Sequence, residues 1–403
     1  MRMPTNEILD QIGVHQIINA YGPATILGGS LLDKRVTHAM EQISHVFVDM
    51  DELLEKAGQK VAELLGVESA TITSGAAAGL ALSAAACMTG LDRSKIAKLP
   101  DTSNFEKNEI VVQIGHQNTY DRCLRVSGAR LVSVGIPYLT HPWEFESVIN
   151  EKTAAIAHFT IGTARPGLMC FDEVVKVARK HSIPVIVDGC NDVLPTLGEV
   201  ASFLTKGASL VVISGGKNIQ GPNDTGIICG NKDLVSACVA NCAPHMQGIG
   251  RTMKVSKEQI VGLVAALEIY SETDPQTRYS MWERKIDYVQ NELDEIPNIE
   301  LEKVPKKADL GKVPHLEIHL DENSLGFTSG EIVSALKSLE RPIVLDIGYW
   351  ENFRTATLFV NPICMRADDE IIVAKELRRI LTDKPRLNEL LSIQNKIQAC
   401  AYP

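Results

Sequence analysis

Short apolar runs recur through the first 250 residues of the chain, and segments with helical periodicity lie between several of them. The expected strands are residues 70–73, 108–115, 129–135, 153–161, 183–192, 208–217 and 225–230. Residues 171–182 and 233–242 are expected helices, and a helical pattern over residues 36–66 ends at Gly66. Continuous apolar strands alternating with helices predict a mostly parallel, seven-stranded type of sheet that is covered on both faces. The predicted fold class is α/β.

The pattern changes after residue 250. Residues 256–295 read as a long helical stretch with a possible break at Pro275, followed by alternating strands at 315–320 and 355–361 and amphipathic helices at 329–339 and 368–383. This combination of alternating strands and amphipathic helices predicts a smaller α+β domain. The expected organisation is an N-terminal arm over residues 1–45, a large domain over 46–255, and a linker helix with a small C-terminal domain over 256–403.

Composition narrows the class of protein. Of the 403 residues, 45% are hydrophobic and 22% are charged, as in ordinary globular proteins. The net charge of −10, without a compensating basic run, argues against a nucleic-acid partner. We find no apolar stretch suited to crossing a membrane and no apolar signal core, so we expect a cytoplasmic protein with no membrane partner. The nine cysteines include no CxxC pair, so neither a metal site nor a disulfide framework is expected.

Four chemically useful residues follow expected strands: Ser74, His116, Asp188 and Lys217. In parallel sheets the ligand binds beyond the carboxyl ends of the strands, so these side chains are expected at one edge. Lys217 stands in the loop "SGGKNIQGPNDTG", where glycines let backbone approach a ligand. A desolvated lysine amine is a nucleophile that forms Schiff bases, although a lysine at a strand end also commonly extends to solvent or pairs with an acid.

The other strand-end residues also have more than one interpretation. A buried Asp188 carboxylate needs a cation or hydrogen-bond donors, such as a protonated pyridine nitrogen; the alternative is a turn or helix-capping aspartate. Ser74, Gly75 and Ala76 open a helix and suit an anion, or they simply pack tightly. Ser214 offers a hydroxyl to a phosphate. His116 is either a ring that stacks on an aromatic cofactor or a structural histidine.

Taken together, these residues predict a site for pyridoxal 5′-phosphate. Lys217 would bind the aldehyde and act as the catalytic residue. The other expected cofactor-binding residues are Ser74, Gly75, Ala76, His116, Asp188, Asn191 and Ser214. Arg354, at the start of a small-domain strand, is expected to bind a substrate carboxylate, unless it forms a surface ion pair.

The order of these motifs resembles fold-type I pyridoxal-phosphate enzymes, and most of all the branch containing L-seryl-tRNA selenium transferase and D-glucosaminate-6-phosphate ammonia-lyase. The resembling segments are "INAYGPATILGGSLL" (18–32), "FVDMDELLEKAGQKVAELLGVESATITSGAAAGLALSAAACMTG" (47–90), "VDGCND" (187–192), "SGGKNIQGPNDTGIICG" (214–230) and "GRTMKVSKEQIVGLVAALEIY" (250–270). The resemblance implies a homodimer or larger assembly in which the N-terminal segment and "GRTMK" approach a neighbour's cofactor. It adds Tyr21 and Arg251 as expected substrate-binding residues, with Gly29, Ser30 and Lys254 nearby.

The resulting hypothesis is a pyridoxal-phosphate-dependent lyase that converts an amino acid or amino-sugar acid into a 2-keto acid and ammonia. A transferase of the selenocysteine-synthase kind, a racemase or an aldolase acting through the same carbanion is the alternative. A non-catalytic binding protein on the same fold is disfavoured because both Lys217 and Asp188 are present. A dinucleotide-dependent oxidoreductase is disfavoured because "TSGAAAG" lacks the GxGxxG spacing.

Overall fold

The structure is a computed structural model that describes residues 7–160, 166–190, 197–309, 312–347 and 356–401, the last eight by backbone alone. Asn191 and Arg354 lie outside the described residues. The helices are α1 Glu7–Ile12, α2 Lys34–Ser44, α3 Met50–Leu65, α4 Gly75–Thr89, α5 Arg93–Lys98, α6 Asp121–Val126, α7 Pro142–Val148, α8 Phe171–His181, α9 Gly198–Lys206, α10 Lys232–Asn241, α11 Lys257–Glu272, α12 Pro275–Leu293, α13 Glu322–Leu325, α14 Ser329–Lys337, α15 Asp369–Thr382 and α16 Lys384–Ala401. The strands are β1 Ile18–Asn19, β2 Ser69–Thr73, β3 Glu109–Gln113, β4 Arg130–Val134, β5 Thr153–Phe159, β6 Val185–Asp188, β7 Leu210–Ser214, β8 Gly226–Gly230, β9 Ile299–Val304, β10 His315–Leu320, β11 Ile343–Val344 and β12 Thr357–Val360.

The chain divides into two compact units, Gly28–Thr273 and a second unit made of Met1–Leu27 with Asp274–Pro403. These units differ from the expected domain boundaries at both ends. Residues 1–27 join the C-terminal unit because β1 pairs in parallel with β11 and Ile18 lies in that unit's core. Helix α11 belongs to the large unit because Leu263 and Leu267 are buried in its core.

A seven-stranded sheet forms the centre of the large unit, in the order β2-β8-β7-β6-β5-β3-β4. The pairs from β7 to β4 are parallel, and β8 alone runs antiparallel to both of its neighbours. The predicted α/β class with a mostly parallel sheet is confirmed. The structure also ends β6 at Asp188 and β7 at Ser214, earlier than the apolar pattern suggested.

Both faces of this sheet are buried. On β7, Val211 and Ile213 belong to one apolar cluster, whereas Leu210 and Val212 belong to another. Successive strand residues point to opposite faces, so these clusters lie on opposite sides of the sheet. Helix α4 can be apolar almost all round because it packs between the sheet and helices α6 and α10.

The helical pattern over residues 36–66 contains two helices rather than one. Helix α2 ends at Ser44 and α3 begins at Met50, after a loop of five residues that includes the fully exposed Phe47. The side chain of Asp49 accepts hydrogen bonds from the backbone N–H groups of the first turn of α3, which fixes the new start. Gly66 ends α3 in the left-handed conformation, as the sequence predicts.

The second unit has a three-stranded antiparallel sheet in the order β12-β10-β9. Its expected elements are found: β10, β12, α14 and α15 lie within the predicted segments or one residue from them, and the helical stretch breaks before Pro275. Pro275 opens α12, and Asp274 caps it through the backbone N–H of Thr277. None of the described helices combines the length and apolarity needed to cross a membrane.

Candidate active site

Lys217 lies three residues beyond β7, in a loop that is hydrogen-bonded to itself. The backbone N–H of Gly215 donates to Thr225 O (2.9 Å), and that of Gly221 donates to Gly215 O (2.9 Å). Gln220 N also donates to Lys217 O (3.0 Å). The half-buried Lys217 side chain therefore extends from a fixed turn at the carboxyl edge of the sheet.

Close backbone contacts explain the glycines around Lys217. A Cβ atom on Gly216 would lie 2.4 Å from Asn223 Cα, which no real side chain allows. The turn containing Gly29 and Ser30 packs against the same loop, and Ser30 Oγ donates to Gly216 O (3.0 Å). The resemblance implied that this turn approaches a neighbour's cofactor; the structure shows it bound to the lysine loop of its own chain.

Helix α4 begins directly after β2, at the predicted anion turn of Ser74, Gly75 and Ala76. Ser74 does not cap the helix, because its Oγ donates instead to Met253 O (2.8 Å). The first backbone N–H groups of a helix have no intrahelical acceptors and carry the positive end of its dipole. Gly75 has φ +85°, and no described atom outside its chain neighbours lies within 4 Å of its ideal Cβ position. The turn at Ser74, Gly75 and Ala76 thus has the donors and the open space that an anion requires.

Gly226, the first residue of β8, lies between this turn and the lysine strand. It pairs with Thr73 of β2 on one side and with Ser214 of β7 on the other. A Cβ atom on Gly226 would lie 2.4 Å from Gly75 C and 2.6 Å from Ala76 N. The absence of a side chain here lets the anion turn and Ser214 come to the same edge.

Asp188 ends β6 at the centre of the sheet, where only 6% of its surface is exposed. It pairs with Phe159 of β5 and with Val212 of β7, two residues before Ser214. Its Oδ1 atom accepts a hydrogen bond from the backbone N–H of Cys190 (3.1 Å). A buried carboxylate is costly without donors or a cation, so its position beside the lysine loop suits a protonated ring nitrogen.

His116 lies just beyond β3 and is 2% exposed. Its ring meets that of His158 edge to face at 4.7 Å between centroids. Burial, reinforced by the nearby His116, lowers the pKa of His158 to about 3, so His158 is neutral at physiological pH. His158 of β5 pairs with Val187 of β6, the residue before Asp188.

The two expected substrate-binding residues within the described part of the chain, Arg251 and Tyr21, lie in different compact units. Arg251 is exposed and lines a cavity of about 160 Å³ together with Met50, Ala243, Pro244, Lys254 and Val255. The bond from Ser74 to Met253 places this cavity next to the anion turn. Tyr21 is half-buried in the other compact unit, where its backbone N–H donates to Asn19 Oδ1 (3.0 Å).

Sequence reasoning missed several residues at this edge. Cys190 Sγ lies 3.5 Å from Lys217 Nζ, yet in the sequence Cys190 resembles any other scattered cysteine. Gln113 exchanges hydrogen bonds with the backbone N–H and C=O of Met169 (2.9 and 3.0 Å) and lies 3.4 Å from His116 Nε2. In the sequence, the signal that could have identified Gln113 is its position at the end of an apolar strand, three residues before His116.

Comparison with known proteins agrees with this geometry. The model of the L-seryl-tRNA selenium transferase family matches residues 17–303. The chain belongs to this family. Among its curated relatives, D-glucosaminate-6-phosphate ammonia lyase of Salmonella typhimurium is 38% identical over 271 residues, covering 66% of this chain and 70% of that protein. The 5′-C-glycyluridine monooxygenase-decarboxylase of a Streptomyces species is 31% identical over 383 residues, covering 92% and 91%.

Solved structures show the same fold. A D-glucosaminate-6-phosphate ammonia-lyase superposes with a TM-score of 0.79 at 29% identity and covers 94% of this chain and 99% of its own. An aspartate aminotransferase of Thermus thermophilus, at 15% identity and a TM-score of 0.52, covers 94% and 97% and supports the fold alone. The predicted fold-type I architecture and the resemblance to this family are confirmed. This chain is a pyridoxal-phosphate-dependent enzyme.

The residues at the sheet edge fit this cofactor. Lys217 has a flexible amine for the aldehyde, Asp188 has a buried carboxylate for the ring nitrogen, and the helix start at Gly75 has free space for a phosphate. The glycine at position 226 allows β8 to approach the Gly75–Ala76 peptide at the start of this helix.

We expect Gly226→Ala to weaken cofactor binding by about tenfold or more, because the new methyl group would displace the Gly75–Ala76 peptide from the anion site. Titration of cofactor absorbance would measure the change. The control is Gly198→Ala, since a Cβ atom there meets no described atom within 4 Å. Equal affinity in the Gly226 and Gly198 variants would show that the peptide contact is not needed for binding.

Proposed function

We propose that this enzyme is a lyase that eliminates a β substituent from an amino acid or amino-sugar acid and yields a 2-keto acid and ammonia. The observation that carries the proposal is the convergence of Lys217, Asp188 and the anion turn at one sheet edge. Similarity to an ammonia lyase over 66% of the chain supports this reaction class. A phosphorylated amino-sugar acid resembling D-glucosaminate 6-phosphate is the proposed substrate type.

A bound cofactor would supply a conjugated ring that can store the electron pair left when a bond at the substrate Cα breaks. Lys217 then serves as the base that removes the α proton, since its Nζ atom lies at the sheet edge where the cofactor is proposed to bind. Asp188 holds the proton of the ring nitrogen through its buried carboxylate. The helix start at Gly75 holds the cofactor phosphate, and His116 supplies an aromatic face.

A second anion site for the substrate is proposed at the cavity lined by Arg251 and Lys254. Both side chains are exposed, and Met50, the first residue of α3, lines the same space. Two cations that line one cavity attract a phosphate or carboxylate. The Ser74–Met253 hydrogen bond keeps this cavity adjacent to the cofactor turn.

Two other reactions remain as alternatives. Membership of the selenium transferase family favours a transferase, although the acidic net charge of −10 does not favour a nucleic-acid substrate. The monooxygenase-decarboxylase relative is similar over 92% of this chain, which favours an oxidative decarboxylation. A monooxygenase consumes dioxygen and a decarboxylase releases carbon dioxide, whereas the proposed lyase does neither.

The first experiment assays the purified protein with D-glucosaminate 6-phosphate and with serine, recording ammonia, 2-keto acid, carbon dioxide and dioxygen uptake. We expect ammonia and 2-keto acid in equal amounts, with or without dioxygen.

Lys217→Ala should remove the visible absorbance of the lysine-bound cofactor and lower turnover about a thousandfold or more. Lys232→Ala, at an exposed helix start, is the matched control. Full turnover by Lys217→Ala would refute the proposal, and dioxygen-dependent release of carbon dioxide would favour the decarboxylase instead.

We expect Arg251→Ala and Lys254→Ala to raise the KM for a phosphorylated substrate about tenfold or more, because each removes a charged hydrogen-bond donor. The value of kcat should change less, since neither residue holds the reacting atoms. Steady-state kinetics with the unphosphorylated sugar acid provides the comparison. An equal rise in KM for both substrates would place the phosphate elsewhere.

We also propose that the chain assembles as a homodimer or larger homo-oligomer. Val46, Phe47 and Val48 are exposed together in the loop between α2 and α3, with Phe47 completely accessible. The exposed Met246 lies near this loop because its neighbour His245 is 3.8 Å from Asp51 Oδ1. Exposed apolar clusters of this kind commonly mark protein interfaces, and a second copy is the proposed partner. The expected cytoplasmic location stays a prediction.

Phe47→Asp should weaken self-association by about thirtyfold, because a charge replaces the aromatic anchor of the interface. Sedimentation velocity over a range of concentrations would measure it. The control is Leu91→Asp, which places the same charge at another exposed apolar residue, 63% accessible. Self-association that is unchanged by Phe47→Asp would move the interface away from this loop.

A further inference from the structure

The thiol of Cys190 lies between the two oppositely charged groups of the active site. Its Sγ atom is 3.5 Å from Lys217 Nζ, and its backbone N–H donates to Asp188 Oδ1. Cys190 is 8% exposed. It is thus a buried neighbour of the catalytic lysine, held in place by the aspartate two residues earlier.

The charge state of this thiol is determined by its surroundings. Burial and the Asp188 carboxylate raise the pKa of Cys190 to about 12, against the opposing effect of Lys217. The group next to Lys217 therefore remains a neutral thiol throughout the physiological range. Sulfur is a weak hydrogen-bond acceptor, so it can orient an amine without forming an ion pair with it.

We propose that Cys190 is a positioning residue that holds the Lys217 amine at the sheet edge, ready for the cofactor aldehyde, through a hydrogen bond to a neutral thiol rather than an ion pair. A carboxylate at 3.5 Å would also orient the amine, but it would favour the ammonium ion, which is not a nucleophile. A purely apolar side chain at position 190 would offer the amine no hydrogen bond. A neutral polar thiol meets both requirements.

This role concerns capture of the cofactor and rests on the cofactor assignment, whichever substrate the enzyme uses. It is therefore separable from the proposed lyase reaction, which a product assay tests. If Cys190 only fills space, the capture rates of its variants should differ from those that a positioning role predicts. Alanine would then be tolerated or would only lower stability, and serine would show no special ability to replace cysteine.

The experiment measures the rate at which the full-length protein, stripped of cofactor with hydroxylamine, captures pyridoxal 5′-phosphate between pH 6 and 10. The readout is the visible absorbance band, with borohydride reduction and peptide mapping to identify Lys217. We expect Cys190→Ala to slow capture roughly fivefold to tenfold and Cys190→Ser to stay near the wild-type rate. Cys190→Asp should raise the pH of half-maximal capture by about one unit or more.

Cys229→Ala is the matched control, because Cys229 is also a buried thiol whose pKa burial raises to about 12, but it lies at the opposite end of β8 from Gly226. Thermal melting of each stripped protein verifies folding. If Cys190→Asp does not fold, the comparison of Cys190→Ala with Cys190→Ser decides between a positioning role and a space-filling role. The proposal is overturned if Cys190→Ala captures at the wild-type rate, if serine is as slow as alanine, or if a folded Cys190→Asp keeps the wild-type pH profile. A wild-type protein that forms no band would overturn the cofactor assignment itself.

Discussion

The organisation of the site depends on a backbone contact that only glycine permits, between Gly226 and the Gly75–Ala76 peptide. Because β8 runs antiparallel between β2 and β7, its first residue meets the ends of both neighbours. A side chain at this position would separate the start of α4 from the lysine strand. The anion turn and Lys217 come from distant parts of the sequence, and this contact brings them to the same edge.

Much of the fold follows from local patterns. The apolar runs locate every strand of the large sheet, because a strand buried on both faces needs apolar residues at successive positions. Pro275 locates the break in the long helical stretch, since proline suits a first helical turn and Asp274 caps it.

The loop before Asp49 was not predicted, because Val46, Phe47 and Val48 continue the apolar pattern although the chain leaves the helix there. The boundaries of the two compact units also differ from the predicted domain boundaries, because β1 pairs with β11, which is far from it in the sequence.

The candidate site was predictable where a strand end determines position. Asp188 and Lys217 each follow a parallel strand, and the structure places both at the carboxyl edge. The contact between Cys190 and Lys217 was not predictable, because it depends on how two loops fold beyond their strands. Cysteine spacing gives no signal for such a neighbour. The position of Arg251 beside the anion turn depends similarly on one long-range hydrogen bond, from Ser74 to Met253.

The arrangement of charges explains why these neighbours matter. Asp188 is negative and Lys217 can be positive, and a direct ion pair between them would compete with the cofactor for both groups. Two titratable side chains close to β6 are neutral at physiological pH. The Cys190 thiol is kept protonated by burial and by Asp188, and His158 is kept neutral by burial and by His116. A neutral thiol beside the Lys217 amine adds no charge that would compete with the aldehyde or with the ring nitrogen. The same burial that makes a charge costly at this edge therefore keeps the Cys190 thiol neutral beside Lys217.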